Sequence, residues 1–191
     1  MLILLALLGI LSGIAAPYFL KDDPAADVRV AVDRVANTLR NARFRAVSMK
    51  RDVYVELEPD GQTDFYSVYA DHDGDGSASG TAAEIQATGI PLPDETGGWR
   101  GVALPDGITF ALGSASSTPD PDTDAPGGAL DLPQNPLVFE PRGTVRWPDG
   151  TVDPSGTIFV SHADHPQFAH AVVVMPTGSI KTWRYDDGGW R

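Results

Sequence analysis

The first twenty residues, MLILLALLGILSGIAAPYFL, carry no charged side chain, and no other stretch constrains the fold of this chain so strongly. At ~1.5 Å per residue, about 20 apolar residues make a helix that spans the ~30 Å hydrocarbon core of a bilayer. A secretory signal would instead show a positive n-region, a shorter apolar core and a small-x-small cleavage site. Here the first charge is Lys21, and cleavage after Ala16 would leave Pro17 directly behind the scissile bond. Its fixed φ and missing N–H oppose processing there. Inside a bilayer helix Pro17 is tolerated with a kink, because neighbouring groups re-satisfy the freed carbonyl. Residues 1–20 therefore read as a transmembrane helix.

The remaining length suits one domain. The chain has 191 residues, which leaves roughly 140 for a globular part, enough to bury a core. It contains no cysteine, which removes disulfides, thiolate nucleophiles and thiolate metal sites. A net charge of −12 disfavours general affinity for nucleic acid phosphates.

After the apolar stretch, the segment over 21–51 carries a helical period. Val28, Val32, Val35, Leu39, Ala42, Ala46 and Met49 step by four and three into one stripe, with Asp33, Arg34, Arg40, Arg43 and Arg45 on other faces. Asp22, Asp23 and Asp27 precede Arg45, Lys50 and Arg51, the order that the helix dipole favours. Dipole complementarity and a solvated face account for the arginines without a nucleic-acid patch. Continuous with residues 1–20, the helix would run roughly 75 Å, and only its second half can lie on a domain.

From Val53 the period changes to two. Val53, Val55 and Leu57 share one face, the chain turns at Pro59-Asp60-Gly61, and it returns through Phe65 to Ala70, which predicts a hairpin. Pro105-Asp106-Gly107, Pro148-Asp149-Gly150 and Pro176-Thr177-Gly178 repeat the device between β-prone runs. The fold class is α+β: a long N-terminal helix packed on an antiparallel β domain over 52–191. Within it, residues 113–136 are rich in Pro, Asp, Ser and Gly, and read as a long exposed loop.

Few constellations carry chemistry. Asp71, Asp73 and Asp75 alternate before Gly76, a spacing that can turn three carboxylates toward a calcium ion. However, Ala82 stands where a calcium loop places its bidentate glutamate, and the composition favours a polar turn after Tyr69. His162, Asp164 and His165 could serve as metal ligands, but His-x-x-His on a turn lacks a helical or strand frame and its third partner is not identifiable. There is no G-x-S-x-G elbow and no lysine-bearing phosphate loop, so no catalytic residue is assigned and the chain does not read as an enzyme. Trp99, Trp147, Trp183 and Trp190 read as core or sheet-edge aromatics.

Three segments together resemble a known family: LALLGILSGIAAP, then LRNARFRAVSMKRDVYVEL, then a β domain ending VVVMPTGSIKTW. They are similar to the H-type pseudopilins of type II secretion and the minor pilins of the GspH/FimT group, over essentially the whole chain. The resemblance implies a pilin-like fold, single-pass insertion in a bacterial inner membrane with the β domain outside the cytoplasm, and assembly with other pseudopilins or pilins on a secretion platform. Small residues including Gly9 and Gly13, with Pro17, would then let neighbouring helices approach in the filament. In this family a basic leader and an FTLIEL-like start precede the apolar helix. Aligning LLGILSGIAAP with it places the family glutamate just before Met1, which implies that Met1 is internal to the mature helix. Two other classes stay open. One is a DNA-uptake pilin, for which Lys181, Arg184 and Arg191 in the tail are offset by Asp186 and Asp187. The other is a membrane-anchored calcium or adhesion module resting on the acidic loops.

Overall fold

Asp23 and Pro24 start the helix at the point where the apolar period begins. The computed structural model describes residues 23–59, 63–71, 101–119, 125–133, 135–147, 155–186 and 188–191. Helix α1 runs Pro24–Met49. Asp23 caps it, its carboxylate accepting from the N–H groups of Ala25 at 3.2 Å and Ala26 at 3.4 Å. Pro24 occupies a first-turn position whose N–H would have had no helical partner. Val28, Val32, Val35, Leu39, Ala42 and Ala46 are buried as the period predicts, joined by Ala31 and Ala36. Each fully buried Val or Leu contributes about 1.5–3 kcal/mol of transfer free energy.

Met49 departs from the expected stripe and is 36 % exposed. The helix ends there, because Lys50 adopts the left-handed conformation (φ 53°) and its N–H closes on the Ala46 carbonyl, turning the chain toward the first strand. A side chain is strained at that φ, whereas glycine is not. Lys50→Gly is expected to stabilise the protein by about 0.5–1 kcal/mol, the relief of strain less the added freedom of the unfolded chain, read as a raised urea midpoint.

The strands are β1 (Val53–Glu58), β2 (Phe65–Ala70), β3 (Val102–Ala103), β4 (Ile108–Thr109), β5 (Leu130–Asp131), β6 (Leu137–Phe139), β7 (Val145–Arg146), β8 (Gly156–His162), β9 (Ala169–Val174), β10 (Ile180–Asp186) and β11 (Gly189–Trp190). They form two sheets, one ordered β3-β2-β1-β6-β7 and the other β11-β10-β9-β8-β4, with β5 also on β8. Every described pairing is antiparallel. The α+β expectation, a helix packed on an antiparallel β domain, is thus met; the described helix is the amphipathic segment, and it packs on two sheets.

The β1–β2 hairpin pairs Val53 with Ala70 through Glu58 with Phe65, as its alternation predicts. Val53, Val55 and Leu57 join the core under α1, while Tyr54 and Tyr69 stack on the opposite face at 5.5 Å beside Val138. The β9–β10 hairpin turns through Pro176-Thr177-Gly178, with Gly178 at φ 76°. Pro105-Asp106-Gly107 makes a tight turn as well, Ile108 N–H donating to the Pro105 carbonyl at 3.0 Å. It does not join paired strands, however: β3 lies in the first sheet and β4 in the second, so this turn carries the chain between layers. Buried Asp64 secures the crossing by accepting from the Thr109 hydroxyl at 2.6 Å and the Phe110 N–H at 2.5 Å.

The described residues between 113 and 136 are more structured than the composition of the segment suggests. Ala115 and Thr118 are buried, and Leu130 and Asp131 form β5 against Ile158 and Thr157 of β8. Asn135 continues the β1–β6 pairing with its side chain, accepting from Leu57 N–H at 3.1 Å and donating to the Leu57 carbonyl at 2.7 Å. Apolar positions too sparse to specify a strand locally are captured by the exposed edge of β8. The main core lies between α1 and both sheets, with Trp147, Phe139 and Leu39 among its largest fully buried side chains.

Candidate assembly surface on helix α1

Helix α1 also exposes apolar side chains away from its buried stripe. Val30 is 57 % exposed, Phe44 71 % and Val47 47 %. At 100° per residue, Val30 and Phe44 stand ~160° from the centre of the buried stripe, so neither sheet can reach them. Phe44 and Val47 are i, i+3 neighbours on the last turns and, with Arg40 and Arg43, line a shallow groove of about 260 Å³. The periodicity of the sequence gives these positions no role, because three apolar residues among arginines form too sparse a signal beside the longer stripe.

The groove is stiffened from below by Arg43. Its Nε donates to the Gly143 carbonyl at 2.9 Å and its Nη2 to the Thr177 carbonyl at 3.2 Å. One side chain thereby ties α1 to the turn before β7 and to the β9–β10 turn. The two turns also bond to each other, Val145 N–H donating to the Pro176 carbonyl at 2.9 Å. Arg40 adds a longer bond from Nη2 to the Ile180 carbonyl at 3.4 Å. Such close convergence needs glycine twice: Gly143 and Gly178 have φ of 80° and 76°, and a Cβ on Gly178 would lie 2.0 Å from the Gly143 carbonyl oxygen. The helix arginine and the PTG turn, which the sequence shows as separate motifs, therefore meet in one structural joint.

The other sequence-derived candidates are distributed as follows. Gly9, Gly13, Pro17, Asp73, Asp75 and Trp99 lie outside the described residues. Asp71 is buried at the end of β2, its N–H donating to the Asp52 carbonyl at 2.9 Å and its own carbonyl accepting from Arg51 at 3.1 Å. The rings of His162, the last residue of β8, and His165, in the β8–β9 connection, are centred 5.0 Å apart; His162 Nδ1 accepts from the Asp164 N–H at 3.1 Å and its ring packs on Gly107. Among the described residues no group of three or more histidine or acidic side chains could hold a metal ion. Trp147 is a core residue, and Trp183 and Trp190 pack with Phe159 on the outer face of the second sheet. In the tail, Arg184 and Arg191 both bridge Asp186, at 2.8 and 3.5 Å, which ties down two of the three cations a DNA-binding tail would offer. Among the described residues no helix is long and apolar enough to cross a membrane.

No protein-family model matches the chain, and no curated protein sequence matches it either. Among solved structures, the chain is similar to the type IV minor pilin FimU of Pseudomonas aeruginosa, with 18 % identity over 87 % of this chain and 93 % of that one at a TM-score of 0.48. It is also similar to the minor pseudopilin EpsH from the Type 2 Secretion System of Vibrio cholerae, with 13 % identity over 84 % of this chain and 96 % of that one at a TM-score of 0.45.

Proposed function

We propose that this chain is a non-enzymatic filament subunit, a minor pseudopilin of a type II secretion system. The observation that carries the reading is that α1 exposes apolar side chains on the side away from its buried stripe. One face is buried under the chain's own sheets and the other, Val30, Phe44 and Val47, is exposed on a helix that starts four residues after the apolar stretch ends at Leu20. A simple tether needs only the first face. A subunit whose neighbours stack around a shared helical core uses both. In this reading, residues 1–20 pack among like segments in the inner membrane and in the filament, α1 carries each domain outward, and the Arg43 joint holds the exposed face rigid. The protein works through packing, and a separate ATPase drives assembly. The second reading, a type IV minor pilin, uses the same surfaces and differs in the machinery around them.

The test is rescue of a strain whose own copy of the gene is deleted. Full-length protein is expected to restore export of the secreted enzymes, whereas a version starting at Asp22 folds and restores nothing, since the filament core is built from the removed segment. Gly9→Leu with Gly13→Leu is expected to impair rescue by holding neighbouring helices apart while the β domain stays folded. Restored piliation in place of export selects the minor pilin. Full rescue by the version starting at Asp22 would overturn the filament reading altogether.

A further inference from the structure

His170 lies on β9 directly across from Arg184 of β10. Strand alternation puts it on the same side as Val172 and Val174, which pack in the core with α1, so its ring projects under the first half of the helix. There it is 9 % exposed, and its Nδ1 is buried with no hydrogen-bond partner. Two cavities flank it, of about 800 and 300 Å³, both also lined by Arg29 and Arg184. The first half of α1 is thus seated through Val28, Ala31, Val32, Val35 and Ala36, with a polar ring beside that apolar contact.

The charges around this ring are mixed. Helix α1 presents Arg29 and Asp33, with Asp23 at the cavity rim; β10 presents Arg184, Tyr185 and Asp186; the C-terminal residue contributes Arg191. The facing strand β8 pairs Val160 with His170 and adds no charge. Burial, then the field of Arg184, hold the imidazole below its usual range; Asp33 pulls it up, and Arg29 pushes it down by less. A proton on Nδ1 would have no acceptor and would face a guanidinium.

We propose that His170 is a proton-operated latch: neutral, it lets the first half of α1 lie on the second sheet, and protonated, it releases that half while the Arg43 joint keeps the second half in place. The sign follows from linkage. A base held below its unfolded value binds fewer protons when folded, so the stability it permits is present above the unfolded pKa and declines as pH falls through and below it. Release at the front of α1 would alter the angle at which the domain leaves the preceding segment.

The test is amide hydrogen exchange on the full chain in an uncharged detergent at pH 7.5 and 5.0, corrected for intrinsic rates. Ala25 to Val32 are expected to open several-fold more often at the lower pH, with Leu39 to Ala46 little changed. His170→Gln should abolish the difference. The charge variants separate a titrating ring from a merely structural one, because they act in opposite directions: Arg184→Gln reduces the acid response and Asp33→Asn enlarges it. An acid response that is uniform along α1, or that is unchanged in His170→Gln, would overturn the proposal, as would an imidazole that stays neutral by NMR at pH 5.0.

Discussion

Gly178→Ala is expected to cost about 3–5 kcal/mol, a large share of the ~5–15 kcal/mol that holds a domain of this size together. Two contributions add. The left-handed φ of 76° penalises a side chain by about 1–2 kcal/mol. The new Cβ would also stand 2.0 Å from the Gly143 carbonyl oxygen and 2.7 Å from Arg43 Nε, so the two turns must separate and the guanidinium must let go. Losing charge-assisted bonds of that kind costs about 1.5–3 kcal/mol. Gly188 provides the control. Its φ is 79°, yet nothing lies within 4 Å of a Cβ there, so Gly188→Ala should cost only the conformational part, about 1–2 kcal/mol. Urea unfolding followed by tryptophan fluorescence measures both. Equal losses at the two glycines would mean that the convergence on Arg43 adds nothing to stability.

Phe44→Lys combined with Val47→Lys is expected to leave the fold unchanged within ~0.5 kcal/mol, because both side chains already face solvent and cations suit the C-terminal turns of a helix. In the assembled state the same pair would place two ammonium groups beside Arg40 and Arg43 in an apolar contact, at several kcal/mol, so incorporation should fall at least ~100-fold. The measurement is rescue of export or piliation beside a urea titration of the same variant. Loss of rescue with an unchanged midpoint assigns the outer face of α1 to assembly. Full rescue would leave Phe44 and Val47 as ordinary exposed residues, which single apolar side chains on a surface commonly are.

Much of the architecture is written in local signals. The period of four and three from Val28 to Ala46 specifies a helix and its buried face, because every turn of such a segment meets the same apolar surface. Asp23-Pro24 marks its start for reasons of backbone chemistry that operate within one turn. The hairpins at β1–β2 and β9–β10 are likewise announced by alternation around a proline- and glycine-bearing turn.

Only the tertiary structure decides what those pieces do to one another. Pro105-Asp106-Gly107 and Pro176-Thr177-Gly178 look alike as sequence, yet the first crosses between sheets and the second closes a hairpin, since a turn specifies a reversal and not the strand that will be met afterward. Asp64 reads as one acid among many, and its burial follows from the N–H and hydroxyl donors of Phe110 and Thr109, more than forty positions away. Leu130 and Asp131 become a strand because β8 offers an edge, a fact absent from their own composition. Arg43 belongs by period to a solvated face, and it becomes the joint of the molecule because Gly143 and Thr177 bring two carbonyls within reach of its fork. Periodicity reports the average surroundings of a segment, whereas these roles depend on single contacts between parts of the chain that are distant in sequence.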